Sequence, residues 1–331
     1  MQAVLNFDPL AQESDAIMKF QIPPAEVVPF GMRAMKTIAL ADGELDATER
    51  ALMTAALTLF GVSLDIDSLA PITPSALAAA ISDPMIRWQL CHGLIVMALA
   101  DGKASDKEWI QVQAFANALE VESESFGTLH KLAEGHFWRA RMDVARHFFA
   151  REKVAARVKQ DGVSWLAKSL ASLVGITENK TVADKYRSLE GYPRNSLGRR
   201  YFEFIRGNGF QFPGELGGPP EPIVLHDISH TLGGYGTDPE GELQVIGFHA
   251  GYRKANPFTW IFFGLMQFHM GVQVGVLAKG ETGHFNPELM LKAIARGAAM
   301  NIDLTEQWDP WPVMDRDIDE LRTEYGIAPA A

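Results

Sequence analysis

The chain has 331 residues, 47% of them hydrophobic, and a formal net charge of -11. That apolar content supports a packed core and excludes a disordered composition. The acidic balance argues against nucleic acid as a partner, because phosphate binding needs a basic face. The single Cys91 excludes an intramolecular disulfide and a cysteine-rich zinc site, but not a site built from histidines and carboxylates.

Residues 1–28 read as a leader. It has no basic start, and Asp8, Glu13 and Asp15 interrupt any apolar run, so neither a signal peptide nor a transit peptide is expected. The expected compartment is cytoplasmic and reducing. Pro23-Pro24 and Pro29-Phe30-Gly31 then open a helix-rich region with an internal repeat. Ala39-Leu40-Ala41-Asp42-Gly43 recurs as Ala98-Leu99-Ala100-Asp101-Gly102, each copy preceded by an apolar helical pattern. A capping signature follows each copy, Asp46-x-x-Glu49 and Ser105-x-x-Glu108. Each copy predicts helix, Asp-Gly turn, helix, with the glycine as a left-handed C-cap.

This repeat resembles the TerB-like (tellurite-resistance) helical domain over 29–121. The resemblance implies acidic turns that have been suspected of binding cations. The alternative is that Asp42, Asp46, Glu49, Asp101 and Glu108 are turn and capping residues.

Residues 122–187 read as a helical connector, with Trp138, Val144, Phe148 and Phe149 on a buried stripe and His136 and His147 on a similar face. A shift to Thr, Glu, Asn and Lys at 175–188 marks a domain boundary, and 188–331 forms the second domain. Ser196 opens a helix with Leu197, Tyr201, Phe204 and Ile205 inward. No alternating strand pattern occurs, so the expected fold class is all-α.

The chemistry concentrates in Ile223-Val224-Leu225-His226-Asp227-Ile228-Ser229-His230. His226 and His230 are four residues apart and share one helix face, the spacing by which two imidazoles chelate one cation. Asp227 lies about 100° round the helix, at the edge of such a site. After a glycine-rich turn, Thr237 or Asp238 caps a second helix with Pro239 in its first turn. Glu242 projects from that helix, and an antiparallel pair returns it toward the histidines. His226, Asp227, His230 and Glu242 are therefore the candidate metal ligands and the candidate catalytic set. Two histidines with one or two carboxylates suit zinc or iron better than magnesium or calcium. The alternative is a buried His/Asp network without metal.

His226-Asp227-x-x-His230, eleven intervening residues and Glu242 resemble the metal motif of the coenzyme Q biosynthesis family of the fourth Coq protein ("Coq-four"). So do Gly234-Tyr235-Gly236-Thr237-Asp238-x-x-Gly241-Glu242, Leu197-Gly198-Arg199-x-Tyr201-x-x-Phe204, and Glu320-Leu321-Arg322 to Gly326-Ile327. The similarity covers about 188–327. It implies an all-helical, metal- and lipid-binding domain working peripherally at the inner face of a membrane on a prenylated quinone precursor. The implied activity is metal-dependent loss of the ring carboxylate of a prenylated hydroxybenzoate, with or without hydroxylation at C1. The implied partners are other ubiquinone-biosynthesis proteins. Zinc is the expected cofactor and iron the second choice. Two other readings compete: a non-catalytic quinone- or prenyl-lipid-binding scaffold, and a metallohydrolase, because His226-Asp227-x-x-His230 resembles a zincin helix with Asp in place of Glu.

Residues 255–278 carry no formal charge and are rich in Phe, Trp, Met and Val, long enough to span a bilayer as a helix. Asn256, Pro257, Gln267, His269 and Gln273 favour a buried or lipid-facing helix instead. Phe258, Trp260, Ile261, Phe262, Phe263, Leu265, Met266 and Phe268 offer an apolar surface, and Gly264, Gly271 and Gly275 allow close approach of a helix or prenyl tail. Arg194, Arg199 and Arg200 are candidates for a substrate carboxylate or lipid headgroups, against an exposed helix face. His249, His269 and His284 are candidates for groups behind the ligands.

Overall fold

A computed structural model describes residues 20–137, 140, 158–159, 163–173, 175–254, 257–274, 279–305 and 308–329. The leader before 20, and Trp138, Val144, His147, Phe148, Phe149, Asn256 and Gly275, lie outside the described residues. Among those described there are fourteen α-helices and no strand. The first six are α1 (Val28–Ala39), α2 (Ala47–Phe60), α3 (Pro74–Ala80), α4 (Pro84–Met97), α5 (Asp106–Leu119) and α6 (Glu124–Ala133). Next come α7 (Val163–Leu173), α8 (Lys180–Arg187), α9 (Leu197–Gly207) and α10 (Val224–Gly233). The last four are α11 (Pro239–Tyr252), α12 (Pro257–Phe268), α13 (Pro287–Ala298) and α14 (Ile318–Tyr325). No helix among the described residues is long and apolar enough to cross a membrane.

The repeat folds as helix, turn, helix twice, through α1–α2 and α4–α5. Asp46 and Glu49 form a reciprocal capping box: the Asp46 carboxylate accepts from Glu49 N–H, and the Glu49 carboxylate accepts from Asp46 N–H. Ser105 caps α5 differently, accepting from Glu108 N–H while its hydroxyl donates to the Glu108 carboxylate at 2.7 Å. The glycines differ from expectation. α1 ends at Ala39 and α4 at Met97, each with a right-handed cap. Gly43 and Gly102 take positive φ further out in the turns. The reason is local: Ala41 and Leu99 N–H reach the carbonyls of Ile38 and Val96, which tightens the last turn before the glycine is reached.

The two acidic turns face each other. Burial pushes the Glu49 carboxyl up to about 7, and the charges of Asp46, Asp42 and Asp101 push it the same way against the Asp46 N–H. Burial likewise pushes Glu108 up to about 8, with Asp101, Asp42 and Glu49 adding to it against the Ser105 hydroxyl. The folded state therefore holds a proton on Glu108 that the unfolded chain releases near the ordinary 4.5. The resulting stability is fully present below that value and lost as pH rises through the window up to about 8. Glu108→Gln mimics the protonated acid and keeps an oxygen for Ser105. Its thermal midpoint should exceed that of the wild type at pH values above the window and converge with it in acid. Parallel curves with a constant offset would show that Glu108 does not titrate in this way.

Two apolar cores share the central helices. One joins α1–α6 to Leu243, Ile246 and Ala250 of α11, to Ile261 and Leu265 of α12, and to Met290 and Ile294 of α13. The other joins α8, α9, α10 and α14 to Val245, Phe248 and Tyr252 of α11 and Ala293 of α13. α11 is therefore buried on both sides. A core thus crosses the composition boundary at 175–188. The uncharged run folds as α12 only as far as Phe268. Gly271 then turns the chain in a left-handed conformation, and His269 Nε2 is 2.9 Å from the Ala100 carbonyl in the second Asp-Gly turn.

Candidate metal centre

α10 and α11 build the site. Gly234 ends α10 in the left-handed conformation, and Asp238 caps α11 by accepting from Gly241 N–H, with Pro239 at its start. The turn is tight: a Cβ on Gly241 would lie 2.4 Å from the Gly236 carbonyl oxygen, and one on Gly233 would strike the Tyr235 ring at 2.4 Å. Small residues here are what allow α11 to fold straight back and bring Glu242 to α10.

The result is a triangle of donor atoms. His226 Nε2 is 3.2 Å from one Glu242 carboxylate oxygen, His230 Nε2 is 3.4 Å from the other, and the two Nε2 atoms are 3.1 Å apart. Ligands about 2.0–2.1 Å from a tetrahedral zinc stand roughly 3.3–3.4 Å from each other. The two nitrogens, and each nitrogen with its nearer carboxylate oxygen, are thus spaced as neighbouring ligands of one ion are. Its chemistry fits as well, since a cation would take the place of the protons shared between the two imidazoles and the carboxylate. His226, His230 and Glu242 can hold a metal ion, and among the described residues no other His, Cys, Asp or Glu group converges this closely.

Burial and charge tune the group. Burial opposes the charged form of His226, but the hydrogen bond and charge of Glu242, with Asp227 behind them, hold its pKa above the ordinary imidazole value. Burial likewise opposes the Glu242 carboxylate, yet the hydrogen bonds of His226 and His230 bring it down to about 2. Burial dominates at His230 and holds its pKa below the ordinary imidazole value, against the hydrogen bond of Glu242. The Asp227 carboxylate is not part of the triangle. Burial raises it to about 7, the His226 charge lowering it and the Glu242 charge raising it.

Aromatic rings fix the ligands. Phe204 stacks on His230 with centroids 5.3 Å apart. His226 stacks on His249 at 5.5 Å, and His249 on Trp260 at 4.6 Å. His249 Nδ1 is 2.8 Å from the Tyr252 hydroxyl, which lies 3.2 Å from the Ser229 hydroxyl on α10. His226 Nδ1, His249 Nε2 and the Tyr201 hydroxyl are buried without a hydrogen-bond partner among the described residues. Sequence reasoning named His249 without placing it and missed Tyr252 and Ser229. The spacing from Glu242 to His249, two helical turns, was the available signal.

Other candidates fall elsewhere. Arg199 pairs with Glu203 at 2.8 Å and with the Glu190 carbonyl, and Arg200 bonds Asn195 and Glu203. Both lie on the solvent-facing side of α9. Arg194 is exposed. His136 lies on the surface beside Glu134, and His269 belongs to the contact with the second Asp-Gly turn. No family model matches the chain, and no curated protein matches it at a significant level.

Proposed function

We propose that the chain is a metal-dependent enzyme of ubiquinone synthesis that removes the ring carboxylate of a prenylated hydroxybenzoate, working peripherally at the inner face of a membrane. One observation carries the metal part of the reading: two imidazole nitrogens 3.1 Å apart, each 3.2–3.4 Å from an oxygen of the same carboxylate, on two adjoining helices. The ring substrate and the membrane setting rest on the resemblance of the HDxxH…E motif and its flanks to the Coq-four family. Zinc is the first choice, since two imidazoles and a Glu form catalytic zinc sites, and iron, which takes the same donor set, is the second.

His226, His230 and Glu242 would hold the ion and leave open a position for substrate oxygen. The metal would supply Lewis-acid stabilisation of the negative charge that builds as carbon dioxide leaves. The electron pair of the broken C–C bond stays on the ring carbon, which must then take a proton. Asp227, adjacent to His226 on α10 and outside the ligand set, is the group suited to deliver it. With iron, hydroxylation at C1 would replace protonation; it would consume dioxygen and a two-electron reductant of the reduced nicotinamide or flavin class, the second oxygen atom leaving as water.

A scaffold reading has one observation in its favour: the same Glu242 contacts also pin α11 to α10. Asp227→Asn separates the two. An enzyme should keep its metal and its fold yet lose about 10²-fold or more in turnover, the usual weight of a positioned proton donor. The measurement is release of labelled carbon dioxide from a prenylated hydroxybenzoate, beside the quinone profile of cells carrying the variant. Normal quinone levels in a clean deletion, with no carboxylated precursor accumulating, would reject both the enzyme and its pathway.

A further inference from the structure

Two ring nitrogens at the metal centre, His226 Nδ1 on α10 and His249 Nε2 on α11, are buried without a partner among the described residues. The second ligand imidazole is better served: His230 Nδ1 lies 3.4 Å from the Tyr235 carbonyl. An imidazole that gives its Nε2 lone pair to a metal carries its proton on Nδ1, and that N–H needs an acceptor. His230 has its acceptor in the Tyr235 carbonyl. His226 has none in place, and a buried polar atom left unpaired bears its full desolvation cost.

The proton on His249 is fixed by a chain of groups that own one hydrogen each. The Ser229 hydroxyl donates its hydrogen to the Leu225 carbonyl at 2.8 Å, and a carbonyl can only accept. Ser229 Oγ is 3.2 Å from the Tyr252 hydroxyl, so there it accepts, and the one Tyr252 hydrogen is spent on it. The Tyr252 oxygen can then only accept from His249 Nδ1, 2.8 Å away. His249 is thereby held as the Nδ1–H tautomer. Its Nε2 is a bare lone pair with nothing to accept from.

The two unpaired nitrogens are complementary. With its Nε2 lone pair on an ion, His226 is a donor at Nδ1, and the Ser229–Tyr252 chain makes His249 an acceptor at Nε2. The two ring centroids are 5.5 Å apart and the planes 25° from parallel. Two imidazoles joined by a hydrogen bond of about 3 Å, with about 1.1 Å from each nitrogen to its ring centre, have centroids roughly 5 Å apart. The separation already suits such a bond, and rotation of the His226 ring completes it. His249 is the fixed member, held by Tyr252 and by the Trp260 ring at 4.6 Å.

We propose that His249 is a positioning residue of the metal centre, its Nε2 accepting from His226 Nδ1–H when His226 Nε2 ligates an ion. The proposal rests on the metal reading and is independent of the ring substrate. The chain then runs from His226 through His249 and Tyr252 to Ser229 and ends on the Leu225 carbonyl, one residue from its start. It locks His226 in the tautomer a ligand needs and aims its lone pair at the space shared with His230 and Glu242.

The test uses the full chain with zinc as the probe. Histidine-selective nitrogen NMR of the zinc-loaded wild type should show His249 protonated at Nδ1 and bare at Nε2, its signals assigned by their loss in His249→Gln. His249→Phe keeps a ring against Trp260 but has no acceptor. Its zinc affinity, measured by competition with a chelating dye, should fall about 10–100-fold, while the metal-free protein keeps its thermal midpoint. His249→Gln, whose amide oxygen can accept, should recover most of that loss. The proposal is overturned if the zinc-loaded wild type carries the His249 proton on Nε2, or if folded His249→Phe binds zinc as tightly as the wild type. A Gln variant that binds no better than the Phe variant would mark a packing role and overturn it as well. Should His249→Phe not fold, the wild-type tautomer decides. Wild type that takes up no zinc ends the metal reading and this proposal together, whereas zinc uptake that ignores His249→Phe ends this proposal alone.

Discussion

Replacing His230 with alanine should abolish uptake of zinc or iron while the helical circular dichroism persists. His230 supplies one corner of the donor triangle, and its side chain is 1% exposed, so no solvent-facing group can swing in as a substitute. Changes to groups merely behind a ligand cost about 10–100-fold in metal affinity, and loss of a ligand itself should cost more. Asp227→Asn provides the internal control. If the site is the three-residue triangle, that variant retains the metal; if it loses the metal too, the four-residue set read from the sequence is the right one. Acid has a defined direction as well. Metal binding requires neutral imidazole, and His226 has its pKa held above the ordinary value, so protons compete for it first as pH falls. Affinity should therefore drop on acidification through the His226 pKa. Wild-type protein that takes up neither zinc nor iron when either is added would end the metal reading.

The features that sequence reasoning captured are local ones. The capping box at Asp46 and Glu49, the Ser196 and Asp238 caps and the four-residue spacing of His226 and His230 all act within one or two helical turns. Their geometry is set by helix periodicity alone. The return of Glu242 to the histidines was also legible, because glycines and a proline fix the intervening turn. What escaped depends on residues far apart in the chain. Nothing near residues 85–97 announces that α4 will share an apolar cavity with α12 and α13. Nothing near Asp42 or Asp101 shows that the two turns will meet and raise the pKa of Glu49 and Glu108. The end of α12 is a middle case: Gly271 is visible in the sequence, but the His269 contact with Ala100 that anchors the turn is not. Asp227 shows the limit of motif reading. Adjacency to His226 placed it near the site, yet helix rotation turns its carboxylate out of the triangle.

Adding one methyl group at Gly251 should destabilise the protein, whereas the same change at Gly93 should stabilise it. Alanine is the better helix former by about 1 kcal/mol, so propensity favours both substitutions. Space decides between them: a Cβ on Gly93 of α4 would meet nothing within 4 Å. A Cβ on Gly251 of α11 would lie 2.2 Å from the Ile294 carbonyl oxygen and 2.7 Å from the Ala298 nitrogen, both backbone atoms of α13. From the other side, a Cβ on Gly297 would lie 2.1 Å from the Phe248 carbonyl oxygen. Backbone cannot rotate out of the way as a side chain does, so the two helices must separate. Overpacking of this kind costs about 1–3 kcal/mol and more when helices shift, enough to reverse the propensity gain. In a chain of this size each kcal/mol should move the thermal midpoint by roughly 2–4 °C or slightly less. The consequence reaches the metal centre, because α11 is rigid and Glu242 lies nine residues, or about 14 Å, along it from Gly251. A shift of α11 away from α13 changes where that carboxylate meets His226 and His230. Gly251→Ala should therefore combine a lower thermal midpoint with weaker metal binding, and Gly251→Val should do both more severely. Gly93→Ala should raise the midpoint and leave the metal alone. If Gly251→Ala proved as stable and as metal-replete as the wild type, the close α11–α13 crossing would not be what positions Glu242.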